Sequence, residues 1–161
     1  MSERLEGRSE EWREGVTMAI YVNLSLLAVL LVIPEDEEQS HAGLALMVVS
    51  TAISLLIAHH LAFRISSRFV HNGQVQHSTK RLLLAQAMGG ATAAALAAVP
   101  VLLFGADGIW ISDLLLLAFV CTIGFIASRS GGASILRALG YVALLIVLVT
   151  GVIILKNLTT H

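Results

Sequence analysis

The sequence predicts an all-α polytopic integral membrane protein: one domain, a bundle of five transmembrane helices, N-terminus cytoplasmic and C-terminus outside. Three observations carry this prediction. Hydrophobic residues make up 57% of the 161-residue chain and charged residues only 13%, against about 45–50% and about 25% in soluble domains. Five apolar runs approach the roughly 20 residues that a spanning helix needs. Nine of the ten Lys and Arg residues then fall on one face of the membrane.

The predicted spans are 16–33, 43–63, 82–104, 109–127 and 135–155. The first stops at Pro34 and the acid run Glu35, Asp36, Glu37, Glu38, and the second ends at Arg64. Lys80 and Arg81 lead into the third, Arg129 ends the fourth and Lys156 ends the fifth. Merging the last two into one helix would bury Arg129, Gly131-Gly132 and Arg137 in mid-membrane, at about 2.5–3.5 kcal/mol per Arg. Arg4, Arg8, Arg13, Arg64, Arg68, Lys80, Arg81, Arg129 and Arg137 share one side, which the positive-inside rule makes cytoplasmic. Glu35 to Glu38, Asp107 and Lys156 take the other.

Residues 1–15 hold five Glu and three Arg, unlike the basic start of a signal peptide. They read as an amphipathic cytoplasmic extension of helix one, with Ser9 as N-cap and Trp12 as interfacial anchor. Trp110 is the matching anchor outside. The basic cytoplasmic loop 64–81 carries an Asn72-Gly73 turn signal, which suggests that helices two and three project as a hairpin. The 105–108 connection, Gly-Ala-Asp-Gly, reads as a tight turn.

In lipid, small residues let helix backbones approach and so join the helices. Span three has two ridges at i, i+4, i+8: Gly89, Ala93, Ala97 and Gly90, Ala94, Ala98. That pattern predicts a central helix, or else an oligomer seam. Pro100 should bend its outer end.

Ionisable and amide side chains within spans are the functional candidates. At 100° per residue, Ser50, Ser54, His60, Arg64 and Arg68 share a sector of about 120° on helix two. This stripe reads as an ion or proton pathway, or more simply as side chains placed at headgroup level. Asp113 is the one carboxylate inside a predicted span, close enough to the outer end to act as a first-turn helix stabiliser. Asn23 and Gln86 are expected to bond across helices, and Arg137 to meet Glu11 or Glu14. A bis-His haem site would need a second intramembrane His, and His41, His71, His77 and His161 fall in loops or at the end. With a single cysteine, Cys121, no intrachain disulfide or Cys cluster can form. Neither a cofactor nor a metal is expected.

No P-loop, zinc-protease, hydrolase-elbow or potassium-filter motif occurs, so the chain is not expected to be an enzyme. The net charge of −1 argues against nucleic acid. The expected function is an oligomeric channel or transporter for ions or protons. The alternative is a non-catalytic accessory or assembly subunit that binds another membrane protein through the Gly/Ala ridges. Expected partners are the lipid bilayer and further copies of the chain or, on the alternative reading, another membrane protein. Compact loops and the lack of a leader-like segment suit a multi-pass protein of the bacterial inner membrane.

Overall fold

A computed structural model describes the backbone of residues 2–31, 33, 40–70 and 78–159, and the side chains of 9–31, 33, 40–66 and 80–151. Among the described residues there are five helices: α1 (Ser2–Leu30), α2 (His41–Val70), α3 (Ser78–Phe104), α4 (Asp107–Ser130) and α5 (Ile135–Thr159). Four stretches are long and apolar enough to cross a membrane: Ser9–Leu30, His41–Ser66, Lys80–Phe104 and Asp107–Ser130. The described apolar part of α5, Ile135–Gly151, is shorter, and the rest of its expected span lies outside the described side chains.

The helices extend past the predicted spans because strong helix formers flank the apolar runs. Glu, Arg and Leu in the head let α1 start at Ser2, so Ser9 lies inside the helix and is not its N-cap. Ser40 caps α2 instead: its hydroxyl accepts from the Gly43 amide at 3.1 Å. His41, expected in a loop, is therefore the first residue of α2. The Glu35–Glu38 run and the Asn72-Gly73 signal lie outside the described residues.

Two glycines make the remaining turns. Gly105 adopts φ +61 and donates to the Val101 carbonyl at 2.8 Å, closing α3 with a left-handed cap. Gly132 adopts φ +80 after Gly131, and the Arg129 side chain reaches over the turn to the Ala133 carbonyl at 2.8 Å. The break between α4 and α5 falls where the Gly-Gly pair predicts it.

α3 is the central helix, packed against α1, α2 and α4, while α5 touches α4 alone among the described residues. Helix directions follow from contacts. Glu11 lies by Arg81 and Glu14 by Gln86, so α1 runs parallel to α3. A Cβ on Gly90 would strike Leu56, and one on Gly105 would strike His41, so α2 runs antiparallel to α3. Gly108 lies against Pro100, and Gly124 against Tyr141 and Leu145, which makes α4 and α5 alternate in turn.

The tightest approach joins α1 to α3. A Cβ on Gly89 would collide with the Gly15 carbonyl oxygen and lie 3.1 Å from the Ala19 nitrogen. The two small-residue ridges thus serve different neighbours: Gly89 faces α1 and Gly90 faces α2. Ala93 and Ala97 are fully buried, Ala98 is buried and Ala94 half-buried.

The apolar core fills one half of the bundle. Met18, Val22, Leu26 and Leu30 of α1 meet Leu44, Val48 and Ala52 of α2, Ala93, Ala97 and Val101 of α3, and Leu116 of α4. These come from the C-terminal parts of α1 and α3 and the N-terminal parts of α2 and α4. The opposite half is looser and holds Glu11, Glu14, Arg81, Gln86 and His60.

Replacing Gly89 with Leu should therefore separate α1 from α3 and lower stability by about 1–3 kcal/mol or more, as overpacking does. Gly140→Ala, where a Cβ meets nothing within 4 Å, should stay within about ±0.5 kcal/mol. Denaturant titration of helicity in detergent micelles would compare the two. Equal effects would refute the assignment of the α1–α3 crossing.

Candidate functional site

One stripe of α1 faces the bundle. Met18, Ala19, Val22, Leu26, Leu27 and Leu30 are buried, with spacings of three and four residues. Glu11, Glu14, Gly15 and Asn23 continue the same stripe, so polar groups are carried into the α1–α3 seam by the periodicity that builds the core.

Gln86 is fully buried. Its Nε2 donates to Glu14 Oε2 at 2.9 Å, and the other carboxylate oxygen lies 3.5 Å from the Arg13 guanidinium. Gln86 is six residues into the Lys80–Phe104 stretch, about 9 Å along the axis. A carboxylate at that depth is costly unless it is paired, and it marks a functional candidate. Gln86 Oε1 has no hydrogen-bond partner among the described residues. One turn nearer the helix ends, Arg81 and Glu11 form a looser pair at 3.9 Å. The acids of the head thus meet α3, not Arg137, which begins α5 and is exposed.

The structure adds His60 to this layer by register. Since Leu56 lies against Gly90, His60 and Gln86, four residues further along each antiparallel helix, lie level. His60 is half-buried and its Nε2 has no hydrogen-bond partner among the described residues. His59 tilts against the Tyr21 ring of α1 at 6.0 Å between centroids. Among the described residues, no three His, Cys, Asp or Glu side chains cluster closely enough to hold a metal.

Asn23 lies deeper in the bundle, fully buried, with neither amide atom hydrogen-bonded among the described residues. The expected bond across helices forms at Gln86 and is missing at Asn23.

Ser50, Ser54 and Arg64 are exposed on the outward face of α2. The Ser50 hydroxyl donates to the Met47 carbonyl at 3.0 Å and that of Ser54 to the Ser50 carbonyl at 2.8 Å. Such local bonds let hydroxyls face lipid cheaply. These serines belong to an outer ridge, Ser50, Ser54, Ala58, Ala62 and Ser66, small and exposed at every fourth residue.

Asp113 sits at the far end of the bundle, half-buried in the second turn of α4, since that helix starts at Asp107. The structure does not bring it near His60 or Gln86. Its neighbour Ser112 is fully buried and donates to the Ala97 carbonyl at 2.7 Å, bridging α4 to α3. Trp12 and Trp110 are both exposed, at opposite ends of antiparallel helices.

A cleft of about 580 Å³ opens beside the polar seam, between α1, α3 and α4. Gly89 and Ala85 floor it, Val16, Met88, Phe119 and Ile123 wall it, and Glu11 and Trp12 stand at its mouth.

Sequence reasoning paired Glu14 with Arg137 and left it out of the candidate site because the predicted span begins at residue 16. The signal was present in the stripe, where Glu11, Gly15, Met18 and Val22 share one face. Comparison with protein-family models, curated proteins and solved structures finds no match.

Removing the two amides should have opposite signs. Asn23→Leu deletes two unsatisfied buried atoms and should stabilise by about 1 kcal/mol or more. Gln86→Leu strands the Glu14 carboxylate and should destabilise by a comparable amount or more. Parallel thermal unfolding of both variants checks this, and a destabilised Asn23→Leu protein would contradict the reading of Asn23.

Proposed function

We propose that the chain is a small multi-span transporter or channel for protons or ions, working through the layer formed by Glu14, Gln86 and His60. One observation carries the reading: a carboxylate held by a fully buried amide at 2.9 Å within an apolar helix stretch. Nothing in packing requires an ionisable group there, since the bundle already closes through Gly15 and Gly89. Glu14 and His60 carry ionisable side chains, and Gln86 Oε1 is an acceptor without a partner among the described residues. Asn23 extends the polar positions toward the packed half.

The Lys and Arg distribution supports placing the N-terminus and the α2–α3 loop in the cytoplasm, α5 as a fifth span and the C-terminus outside. The compact connections suit a bacterial inner membrane. No cofactor, nucleic acid or enzymatic activity is part of this proposal.

The second reading is an accessory or assembly subunit. The outward ridge of α2, Ser50, Ser54, Ala58, Ala62 and Ser66, favours it, because exposed small residues at four-residue spacing allow close approach of another helix. The same ridge would serve a homo-oligomer.

Proteoliposomes loaded with a pH-sensitive dye test the first reading. Wild type should dissipate an imposed proton or cation gradient, and Glu14→Gln should fall to the level of empty vesicles. Flux in Glu14→Gln equal to wild type, or none in wild type, would sink it. Ala58→Leu should disrupt self-association or partner capture in mild detergent, while leaving the Glu14–Gln86 pair untouched.

A further inference from the structure

The cleft between α1, α3 and α4 has a property that the transport reading does not use. Its lining is apolar apart from Glu11 and Thr92, and the Arg81 side chain, outside that lining, lies beside Glu11. Glu11 lines the mouth, its carboxylate 3.9 Å from the Arg81 guanidinium, and the Arg81 side chain is 82% exposed. A pair at that distance is weakly coupled and leaves both groups free to bind other charges. The exposed Trp12 ring stands beside them, a residue type that settles at the headgroup level of bilayers. The volume of about 580 Å³ falls within the ~300–1,000 Å³ of ligand sites. Because the cleft opens between neighbouring helices of a membrane bundle, whatever enters it arrives from the bilayer.

We propose that this cleft holds an acyl chain of a zwitterionic phospholipid bearing a primary ammonium, with the headgroup phosphate on Arg81 and the ammonium on Glu11. The charge order selects a zwitterionic headgroup, and a primary ammonium, unlike a quaternary one, donates charge-assisted hydrogen bonds to the Glu11 carboxylate. An anionic lipid would set unbalanced negative charge beside Glu11, and a lipophilic cation would leave Arg81 without a counter-charge. Met88 and Thr92 are exposed where the cleft opens, and an acyl chain would cover them. The site depends on neither Glu14 nor His60, so it stands whether or not the chain transports ions.

The two tryptophans provide the test. In a Trp110→Phe protein, Trp12 is the single tryptophan and reports on the cleft. The protein is placed in phosphatidylcholine vesicles holding a small fraction of brominated-chain lipid, either phosphatidylethanolamine or phosphatidylglycerol. Quenching of Trp12 should favour the ethanolamine lipid by roughly two- to fivefold, the range of one partly exposed ion pair. Glu11→Gln should erase that preference by removing the ammonium partner. Thr92→Phe should erase it by filling the cleft while leaving both charges in place. Trp110, watched alone in a Trp12→Phe protein, should show no preference. Unchanged far-ultraviolet circular dichroism keeps the variants comparable. Equal quenching by both lipids would mean ordinary annular contact and overturn the proposal. So would preference for the glycerol lipid, or a preference surviving Glu11→Gln.

Discussion

The approach of Gly15 to Gly89 is the constraint from which the rest of the bundle follows. In lipid there is no hydrophobic drive between helices, so stability rests on how closely backbones can pack. At this crossing a Cβ on Gly89 would have no room. The contact holds α1 parallel to α3 and fixes its rotation and register. Once these are set, Glu14 must fall against Gln86 and Glu11 near Arg81, while Met18, Val22 and Leu26 fall into the core. The polar seam and the apolar core are consequences of one interface.

The two halves of the bundle divide labour. One is closed by side chains in contact and by specific ties: Ser112 bridges to Ala97, and Gly105 turns tightly above His41. Gly108 nestles against Pro100 there, so the stretch of α3 around its proline is packed against the next helix. The other half is where α1 and α4 part to open the cleft and where α2 is largely exposed beyond His60. Ionisable groups gather there, beside the close Gly15–Gly89 crossing.

Helix number and approximate position were legible in the sequence, because a bilayer leaves helices as the solution for long apolar runs. The Gly/Ala ridges lie on α3, the helix that packs against α1, α2 and α4. Their assignment to particular neighbours was not legible, since it depends on which helix docks first against a surface small on two sides. Boundaries drifted outward because hydropathy reports burial in lipid, whereas helix ends are set by propensity and caps such as Ser40. Ser50 and Ser54 misled for a related reason: a hydroxyl in a helix reads as polar, yet bonds its own backbone and can face lipid. Glu14 was expected against Arg137, yet it lies on the inward stripe of α1 and meets Gln86. That His60 and Gln86 are level follows only from the antiparallel register of α2.

The intimate pairing of α1 with α3 has a consequence for how the protein is made. The partner of Glu14 lies 72 residues downstream, so at roughly 5–20 residues per second several seconds of synthesis separate the two. Throughout that interval α1 carries two carboxylates with no partner on α3 and a glycine with nothing to meet. The Gly15–Gly89 crossing and the Glu14–Gln86 bond can form only once α3 has emerged, so the final position of α1 is set no earlier than that of the third helix.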